Sequence, residues 1–225
     1  MMIPILFRDT RFVVLDKPAG LKVHAGPQGG ASVEDWFPSL GGRRDGPWLA
    51  HRLDADTAGC LLVALRRSAL HAAQAAFAAG RAEKIYWAVV AGVPPAAAGR
   101  LDAPLRRHSD RSGWRMRHDP AGDPAVTEWR MLGQAGGKAW LELRPRTGRT
   151  HQVRVHCALL GCPVLGDPVY GAGGGAARLH LLARGLTLPL DPPVAAKAPV
   201  PAHMRAALDD CGRAAFSRSG TTAGT

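Results

Sequence analysis

Short apolar runs bounded by glycine, proline or aspartate recur along the 225-residue chain, and they predict the strands of a packed sheet. The runs are rich in Val, Leu and Trp, and they cover Phe12–Leu15, Cys60–Leu65, Ile85–Val90, Val126–Leu132, Ala139–Leu143 and Leu179–Leu188. Four further stretches predict helices, at Ser32–Phe37, Ser68–Ala79, Thr150–Leu160 and Ala202–Asp210. Because strands follow one another through short turns as well as through helices, the pattern favours an α+β fold with a mixed, largely antiparallel sheet.

Small and polar residues mark where the predicted helices begin and end. Ser32 and Asp35 fit a capping box, and Ser68 suits the cap of the second helix. Gly80 and Gly161 suit the positions just after the second and third helices. Polar stretches that contain Gly or Pro predict loops at Gly41–Pro47, Ser109–Asp123 and Ala172–Ala177.

The length of the chain suits one domain, or a domain of two lobes, with a sizeable core. We assign residues 1–210 to a single domain and the small, polar residues 211–225 to a disordered tail. No apolar run approaches the roughly 20 residues that a membrane span needs, and the first residues lack the features of a signal peptide. The four cysteines form no C-x-x-C pair and match no zinc-site spacing. We therefore expect a cytoplasmic protein with reduced thiols, no bound metal and no membrane partner.

The chain carries 29 Lys and Arg residues against 18 Asp and Glu, an excess of 11 positive charges. Such an excess is typical of proteins that bind nucleic acid, and a basic protein without that partner is the alternative. The predicted loop Ser109–Asp123 and the residues just before it place Trp114 among several arginines. This composition suits phosphate contact and base stacking, but it suits a solvated surface loop equally well.

The strongest chemical signal lies in the segment H-R-L-D-A-D-T-A-G, residues 51–59. It places Asp54 on a turn that leads into the apolar run beginning at Cys60, so its carboxylate is expected at the edge of a cleft. Arg52 is near enough in sequence to favour the ionised carboxylate. Taken alone, Asp54 either acts as a nucleophile or base or only forms the turn.

The pattern H-R-L-D-x-x-T-x-G resembles the signature of the RluA-type pseudouridine synthases. Four further segments resemble the family's motifs D-K-P-x-G-L-x-V-H, K-x-Y-x-A-x-V-x-G, T-G-R-x-H-Q-x-R-x-H and G-D-x-x-Y-G. They begin, in the same order, at Asp16, Lys84, Thr147 and Gly166. The resemblance extends from about residue 11 to residue 208, which is nearly the whole chain.

The resemblance implies an RNA pseudouridine synthase, an isomerase that converts uridine to pseudouridine in structured RNA without a metal or other cofactor. The family's fold is a bent, mainly antiparallel sheet with flanking helices and a central active-site cleft. Residues 1–210 are then the catalytic domain of a monomer without an N-terminal S4-type domain. The expected partner is a stem-loop of ribosomal RNA, transfer RNA or both.

The resemblance also assigns roles to individual residues. Asp54 attacks C1′ or C6 of the nucleotide, or stabilises the electron-poor sugar while the base turns. Tyr86 stacks on the uracil, and Arg149 is the counter-ion of Asp54, with Arg154 the weaker candidate. Arg52 reaches into the RNA helix and helps displace the target base. From the residues themselves we assign the remaining RNA contacts to Arg154 and His151, which share a face of the predicted third helix, and to Arg111, Arg115 and Arg117 of the predicted basic loop.

Two other classes of protein are compatible with parts of the sequence. Asp54, Asp56 and Thr57 nearly form the D-x-D-x-T motif of aspartyl-nucleophile phosphotransferases, but the Thr comes one residue too soon and no later acidic pair suits Mg²⁺. A non-enzymatic RNA-binding protein explains the charge. It does not, however, require Asp54, Tyr86 and Arg149 together, whereas a synthase does.

Overall fold

The computed structural model describes residues 2–26, 29–41, 46–111, 113–171 and 178–218. They belong to two compact units. The first unit comprises Met1–Ile85 and Leu182–Pro201, and the second unit comprises Tyr86–Leu181 and Ala202–Thr225. Each unit takes two separate pieces of the chain. The assignment of residues 1–210 to a single catalytic domain stays a prediction.

The described residues form both strands and helices, and six strands, β5 to β10, follow one another without a helix between them. The strands are β1 (Ile5–Arg8), β2 (Phe12–Lys17), β3 (Trp48–Leu49), β4 (Ala58–Ala64), β5 (Glu83–Ala91), β6 (Ala98–Asp102), β7 (Leu105–Asp110), β8 (Gly113–His118), β9 (Val126–Ala135), β10 (Lys138–Pro145), β11 (Leu181–Leu188) and β12 (Val194–Lys197). The helices are α1 (Phe37–Leu40), preceded by a 3₁₀ turn at Val33–Trp36, α2 (Arg67–Ala78), α3 (Gln152–Leu159) and α4 (Ala202–Arg218).

The first unit is built around β4, whose seven residues are all buried. β4 pairs antiparallel with β2 and β3 and parallel with β11, through Ala58 opposite Leu182 and Gly59 opposite Ala183. β1 extends the sheet beyond β2, and β12 pairs with β11, both in antiparallel fashion. The side chains on both faces of β4 are buried, which explains why β4 is a continuous apolar run instead of an alternating one.

The second unit contains an antiparallel sheet in the order β5, β10, β9, β6, and a separate antiparallel hairpin of β7 and β8. One core cluster includes Val90, Leu141, Leu143 and Leu181, and α4 packs on β9 and β10. A smaller cluster packs the hairpin against α3. Together, the pairings of the two units confirm the predicted α+β fold with a mixed, mainly antiparallel sheet.

Several predicted helix boundaries are confirmed. Gly80 and Gly161 follow the ends of α2 and α3 with φ angles of 66° and 75°, the left-handed conformation that glycine adopts without strain. The Ser32 N–H donates a hydrogen bond of 2.9 Å to Asp35 Oδ2, which is one half of the predicted capping box. The Ser68 cap is wrong, because α2 begins one residue earlier with Arg66 at its N-cap.

Other predictions need correction. The loop predicted at Ser109–Asp123 is largely the hairpin of β7 and β8, and α4 continues to Arg218 instead of ending at Asp210. β1, β3, β6 and β12 were not predicted either. The predicted loop Ala172–Ala177, residues 42–45 of the loop Gly41–Pro47, and residues 219–225 lie outside the described residues.

Within the part of the chain that the structure describes, no helix is long and apolar enough to cross a bilayer.

Candidate active site

Asp54 begins a tight turn directly before β4. The Thr57 N–H donates to the Asp54 carbonyl at 3.1 Å, and Thr57 itself is buried, so the turn is fixed at its far end. Gly59 follows with a φ angle of 109°, and a Cβ at this position would collide with the carbonyl oxygen of Ala183 on β11. Glycine is therefore required for β4 to approach β11, and this parallel pairing sets the position of the Asp54 turn.

Lys17 anchors the same turn from the opposite side. Its side chain has no exposed surface, and Nζ donates to the carbonyls of Pro18 at 2.9 Å, Leu21 at 2.8 Å and Ala55 at 2.6 Å. Burial lowers the pKa of Lys17 to about 8, against the opposing effect of the charges on Asp56 and Asp54. The ammonium group thus joins the segment after β2 to the residue that follows Asp54.

His51 supports β4. Its Nε2 accepts a hydrogen bond of 3.0 Å from the Leu62 N–H, and its ring packs against Phe77 with centroids 5.2 Å apart. Burial, assisted by the charge of Lys84, lowers the pKa of His51 to about 4. The imidazole is therefore neutral near pH 7, and its contacts are those of a structural residue. Arg52, the next residue, is exposed.

Tyr86 lies on β5 in the second unit, opposite Leu143 of β10. Its half-buried side chain packs against the core cluster that contains Ala88 and Val90. Trp87 belongs to the other face of the sheet, where its Nε1 donates to Glu142 Oε2 at 3.4 Å. Tyr86 thus lies on the face opposite Trp87, as the alternation along a strand predicts.

Arg149 is exposed and lies three residues before the first residue of α3. Its Nε donates to the Pro124 carbonyl at 3.0 Å, and its backbone N–H donates to Gln152 Oε1 at 3.0 Å. Gln152 is buried, and its Oε1 also accepts a hydrogen bond of 2.7 Å from the Thr147 hydroxyl. This network fixes the backbone around Arg149 and orients one edge of its guanidinium group.

His151 is the N-cap of α3 and has a φ angle of 55°, so it precedes the helix instead of sharing a helix face with Arg154. Its Nδ1 lies 2.9 Å from the Tyr170 hydroxyl. Its ring stacks on Trp114, with centroids 5.0 Å apart and planes inclined by 25°. These contacts tie the start of α3 to the hairpin.

Arg154 is only 4% exposed and forms a two-pronged ion pair with Asp167, with Nε and Nη2 at 2.8 and 2.7 Å from the two carboxylate oxygens. Burial acts to raise the pKa of Asp167, but the contacts with Arg154 outweigh it, and the pKa is lowered. The guanidinium group also lies over the Tyr170 ring, 5.2 Å from its centroid. We expected Arg154 to contact RNA, whereas in the structure it belongs to a buried internal network.

The arginines of the hairpin differ in their surroundings. Arg115 and Arg117 lie on β8, and their Nη2 atoms are 2.9 and 3.8 Å from Asp110 Oδ2. Arg111 is exposed in the turn between β7 and β8. The hairpin therefore presents several guanidinium groups, two of which lie close to the Asp110 carboxylate.

Comparison with known proteins decides the family. A family model described as RNA pseudouridylate synthase matches residues 11–159, about two thirds of the chain. The chain belongs to the RNA pseudouridylate synthase family. A protein of Zymomonas mobilis is described as an uncharacterised RNA pseudouridine synthase. It is 41% identical over 204 residues, which cover 88% of this chain and 93% of that protein. The synthase described here is accordingly an isomerase that acts on RNA.

Two further relatives agree with this assignment. The ribosomal large subunit pseudouridine synthase C of Vibrio cholerae is 34% identical over 216 residues, 91% of this chain and 68% of that protein. The solved structure of human RNA pseudouridylate synthase domain containing 4 superposes with a TM-score of 0.78 at 29% identity, covering 93% of this chain and 92% of that chain. The RluA-type resemblance of the motifs is thus confirmed at the level of the family.

The structure distributes the predicted site residues of the synthase over both units. Arg52 and Asp54 belong to the first unit. The second unit contains Tyr86, Arg149, His151, Arg154 and the hairpin arginines. Within the described ranges, no group of three or more His, Cys, Asp or Glu side chains could hold a metal ion. The four cysteines are buried, free thiols.

Three residues with supporting roles were missed from the sequence. Lys17, Gln152 and Tyr170 each lie inside a motif, but no role was assigned to them. The role of Lys17 could have been inferred from the sequence, because a lysine within an apolar segment needs hydrogen-bond acceptors when it is buried. The partners themselves could not be read from the sequence, because Lys17 meets Ala55 and Tyr170 meets His151 only after folding.

Proposed function

We propose that this synthase isomerises uridine to pseudouridine in structured ribosomal or transfer RNA with Asp54 as the nucleophile and without a cofactor. The observation that carries the proposal is the construction of the Asp54 turn. A half-buried carboxylate lies on a turn held by Thr57, by Lys17 and by the close approach of β4 to β11, next to the exposed Arg52. Such preorganisation is what a reacting group requires.

The reaction rearranges one nucleotide without adding or removing atoms. The N1–C1′ bond breaks with its electron pair on the base, the uracil rotates, and C5 bonds to C1′. C5 then loses its proton, and N1 gains one. A carboxylate assists by attacking C1′ and later leaving it, by adding to C6, or by stabilising positive charge on the sugar, and all three require it to be ionised.

Tyr86 and Arg149 complete the proposed catalytic set. The ring of Tyr86 offers a stacking surface for the uracil, and its hydroxyl can relay the proton that leaves C5. Arg149 is proposed as the counter-ion of Asp54. The anchoring of its Nε on Pro124 and of its backbone on Gln152 supports this role, because both contacts limit the orientations of the guanidinium group.

The proposed RNA contacts are Arg52, which assists displacement of the target base, and the hairpin residues Arg111, Arg115 and Arg117. Leaving the stack costs RNA a few kcal/mol, so the enzyme must stabilise the displaced base. His151 and Arg154 take part by holding the hairpin and the loop after Asp167 in place. The name of the Vibrio relative, a ribosomal large subunit synthase, favours ribosomal RNA as one substrate. We also propose a cytoplasmic monomer, in keeping with the four reduced thiols.

Pseudouridine formation by Asp54 variants tests the proposal. Asp54→Asn and Asp54→Ala should abolish isomerisation while RNA affinity and the circular dichroism spectrum stay near those of the wild type, because an amide or methyl group cannot act as the nucleophile. Asp56→Asn is the matched control and should keep its activity. Assays in EDTA without nucleotide separate a synthase from a Mg²⁺-dependent phosphotransferase. Substantial turnover by either purified Asp54 variant would refute the role of Asp54.

A further inference from the structure

Trp114 is an exposed indole on a cationic element. Its relative exposure is 42%, although the residues that share its face of the hairpin, Leu105 and Met116, are buried against Val155 and Tyr170. The alternation of side chains along β8 places Trp114 and Met116 on this face and Arg115 and Arg117 on the other. The indole therefore lies at the solvent-exposed edge of the packed face of the hairpin.

The orientation of the indole is fixed although much of it is exposed. The Arg107 guanidinium lies over the Trp114 ring, 4.8 Å from its centroid, and the His151 ring is stacked on it. His151 is in turn held by the Tyr170 hydroxyl, which accepts the Met116 N–H at 3.0 Å. A rigidly held aromatic ring loses little entropy when a ligand stacks on it.

The surroundings of Trp114 define the chemistry of that ligand. Arg106, Arg115 and Arg117 lie on the opposite face of the hairpin. Arg115 and Arg117 are close to Asp110 and Arg106 is close to Asp119, so guanidinium groups outnumber carboxylates there. Guanidinium groups suit phosphates, whereas an indole and the plane of a guanidinium suit the flat face of a base. A nucleic acid with an unstacked base presents both groups within the size of a hairpin.

We propose that the Arg107–Trp114 pair is a stacking site for an unpaired base of the substrate RNA. The inference rests on the proposed function for the identity of its ligand. Because Tyr86 is assigned to the uracil that reacts, Trp114 receives a second base. The site thus favours RNA with a loop or bulge over continuous duplex. The hairpin therefore distinguishes substrates by their unpaired bases as well as binding their phosphates.

Binding to three RNAs tests the proposal. They are a stem-loop, a fully paired duplex of the same length, and the same stem-loop with abasic sites in its loop. Trp114→Ala should weaken stem-loop binding roughly 5- to 100-fold, since stacking on an aromatic side chain contributes about that much per base. The variant should bind the duplex and the abasic stem-loop as the wild type does, with an unchanged salt dependence. Trp114→Phe should keep most of the affinity.

Leu159→Ala removes another exposed apolar side chain of the same unit and serves as the control, with no expected change in binding. If Trp114→Ala binds all three RNAs like the wild type, or weakens all three equally, the stacking site is refuted. If the Trp114→Ala variant does not fold, Trp114→Phe and the abasic RNA still test the proposal. The wild-type protein should bind the abasic stem-loop 5- to 100-fold more weakly than the intact stem-loop. Equal wild-type binding to those two RNAs also overturns the proposal.

Pseudouridine formation by the wild type is scored separately from binding. A wild-type protein that isomerises uridine but shows no base-dependent role for Trp114 refutes the stacking site alone. A wild-type protein that shows the base-dependent binding but forms no pseudouridine refutes the proposed function alone.

Discussion

Lys17 has no exposed surface, and three backbone carbonyls take the place of water around its ammonium group. Lys17→Met removes the donor from all three carbonyls. We expect the free energy of unfolding at pH 7 to fall by about 1–3 kcal/mol, the usual cost of leaving buried acceptors without a partner. Urea denaturation measures the change. Lys22→Met, at an exposed position, should have little effect, and equal losses in the two variants would contradict the role of Lys17.

The buried pair of Arg154 and Asp167 leads to a second prediction. Asp167→Asn leaves the Arg154 guanidinium buried without its counter-charge, which costs about 3–5 kcal/mol in comparable pairs. It also leaves one side-chain oxygen where two now accept the N–H groups of Arg154, Val169 and Tyr170. Thermal unfolding should therefore show a large fall in Tm. Asp102→Asn, which breaks an exposed ion pair with Arg100, should change Tm little.

At this scale, sequence reasoning succeeded where a residue and its neighbours are contiguous. Asp54 on its turn and Arg149 just before α3 were both located from motifs, and the structure has them there. The partners of Arg154 could not be predicted, because Asp167 reaches it only through the fold. Arg154 was therefore assigned to RNA contact, although it is buried against Asp167.

The hairpin of β7 and β8 was predicted as a loop for a physical reason. Only Leu105 and Met116 are buried in its two strands, so the alternation of apolar and polar residues that indicates a strand is too weak to detect. The cross-strand ion pairs that involve Asp110 support the hairpin instead, and such pairs have no signature in a hydrophobic pattern. The six predicted strands were found because their runs are apolar.

The salt dependence of RNA binding tests the hairpin as a phosphate-binding element. Replacing Arg111, Arg115 and Arg117 together by Gln should lower the magnitude of the slope of log K against log salt by about 2, because each phosphate contact releases a condensed counterion. Arg100→Gln, on β6 of the same unit, is the control and should leave the slope unchanged. An unaltered slope in the triple variant would show that these arginines face bulk solvent.

The packing of α4 on β9 depends on Gly133. A Cβ at this position would collide with the carbonyl oxygen of Cys211, so Gly133→Ala must displace the helix or bend the strand. We expect a loss of about 1–3 kcal/mol in the free energy of unfolding, as for other overpacked sites. Gly185→Ala provides a matched control on β11, where the nearest atom to the new Cβ is 3.6 Å away. Similar losses of unfolding free energy in both variants would show that the collision with Cys211 is not the cause.

The whole molecule is expected to lose stability in mild acid. Burial lowers the pKa of His51 to about 4 and also lowers the pKa values of His156 and His180. Below their ordinary value of 6.5, the unfolded chain binds protons that the folded protein does not, so stability present above pH 6.5 is lost as the pH falls towards 4.

Urea midpoints at pH 7.5 and pH 5 measure this loss. His51→Gln keeps an acceptor for the Leu62 N–H but cannot be protonated, so its midpoint should depend less on pH than that of the wild type. His71→Gln changes an exposed histidine and should behave like the wild type. A His51→Gln protein with the full pH dependence would exclude His51 as a source of the acid lability.

The way in which the two units share the chain was not predictable from composition or motif order. Both units take residues from the end of the chain, because β11 and β12 join the first unit and α4 joins the second. A hydrophobic pattern indicates that a strand exists but not which partner it pairs with. The motifs therefore identified the family and the fold class, while the sharing of the chain between the units came only from the structure.

The parallel pairing of β4 with β11 also sets the stage of synthesis at which the Asp54 turn can reach its folded setting. In this region Cys60 and Arg184 are in contact although they lie 124 positions apart in the chain. At about 5–20 residues per second, the ribosome needs roughly 6–25 s after completing the Asp54 turn to make the strand that fixes it. During that interval the nascent protein already contains its proposed nucleophile in an incomplete setting. The Asp54 turn is thus expected to reach its folded setting only after β11 has been made.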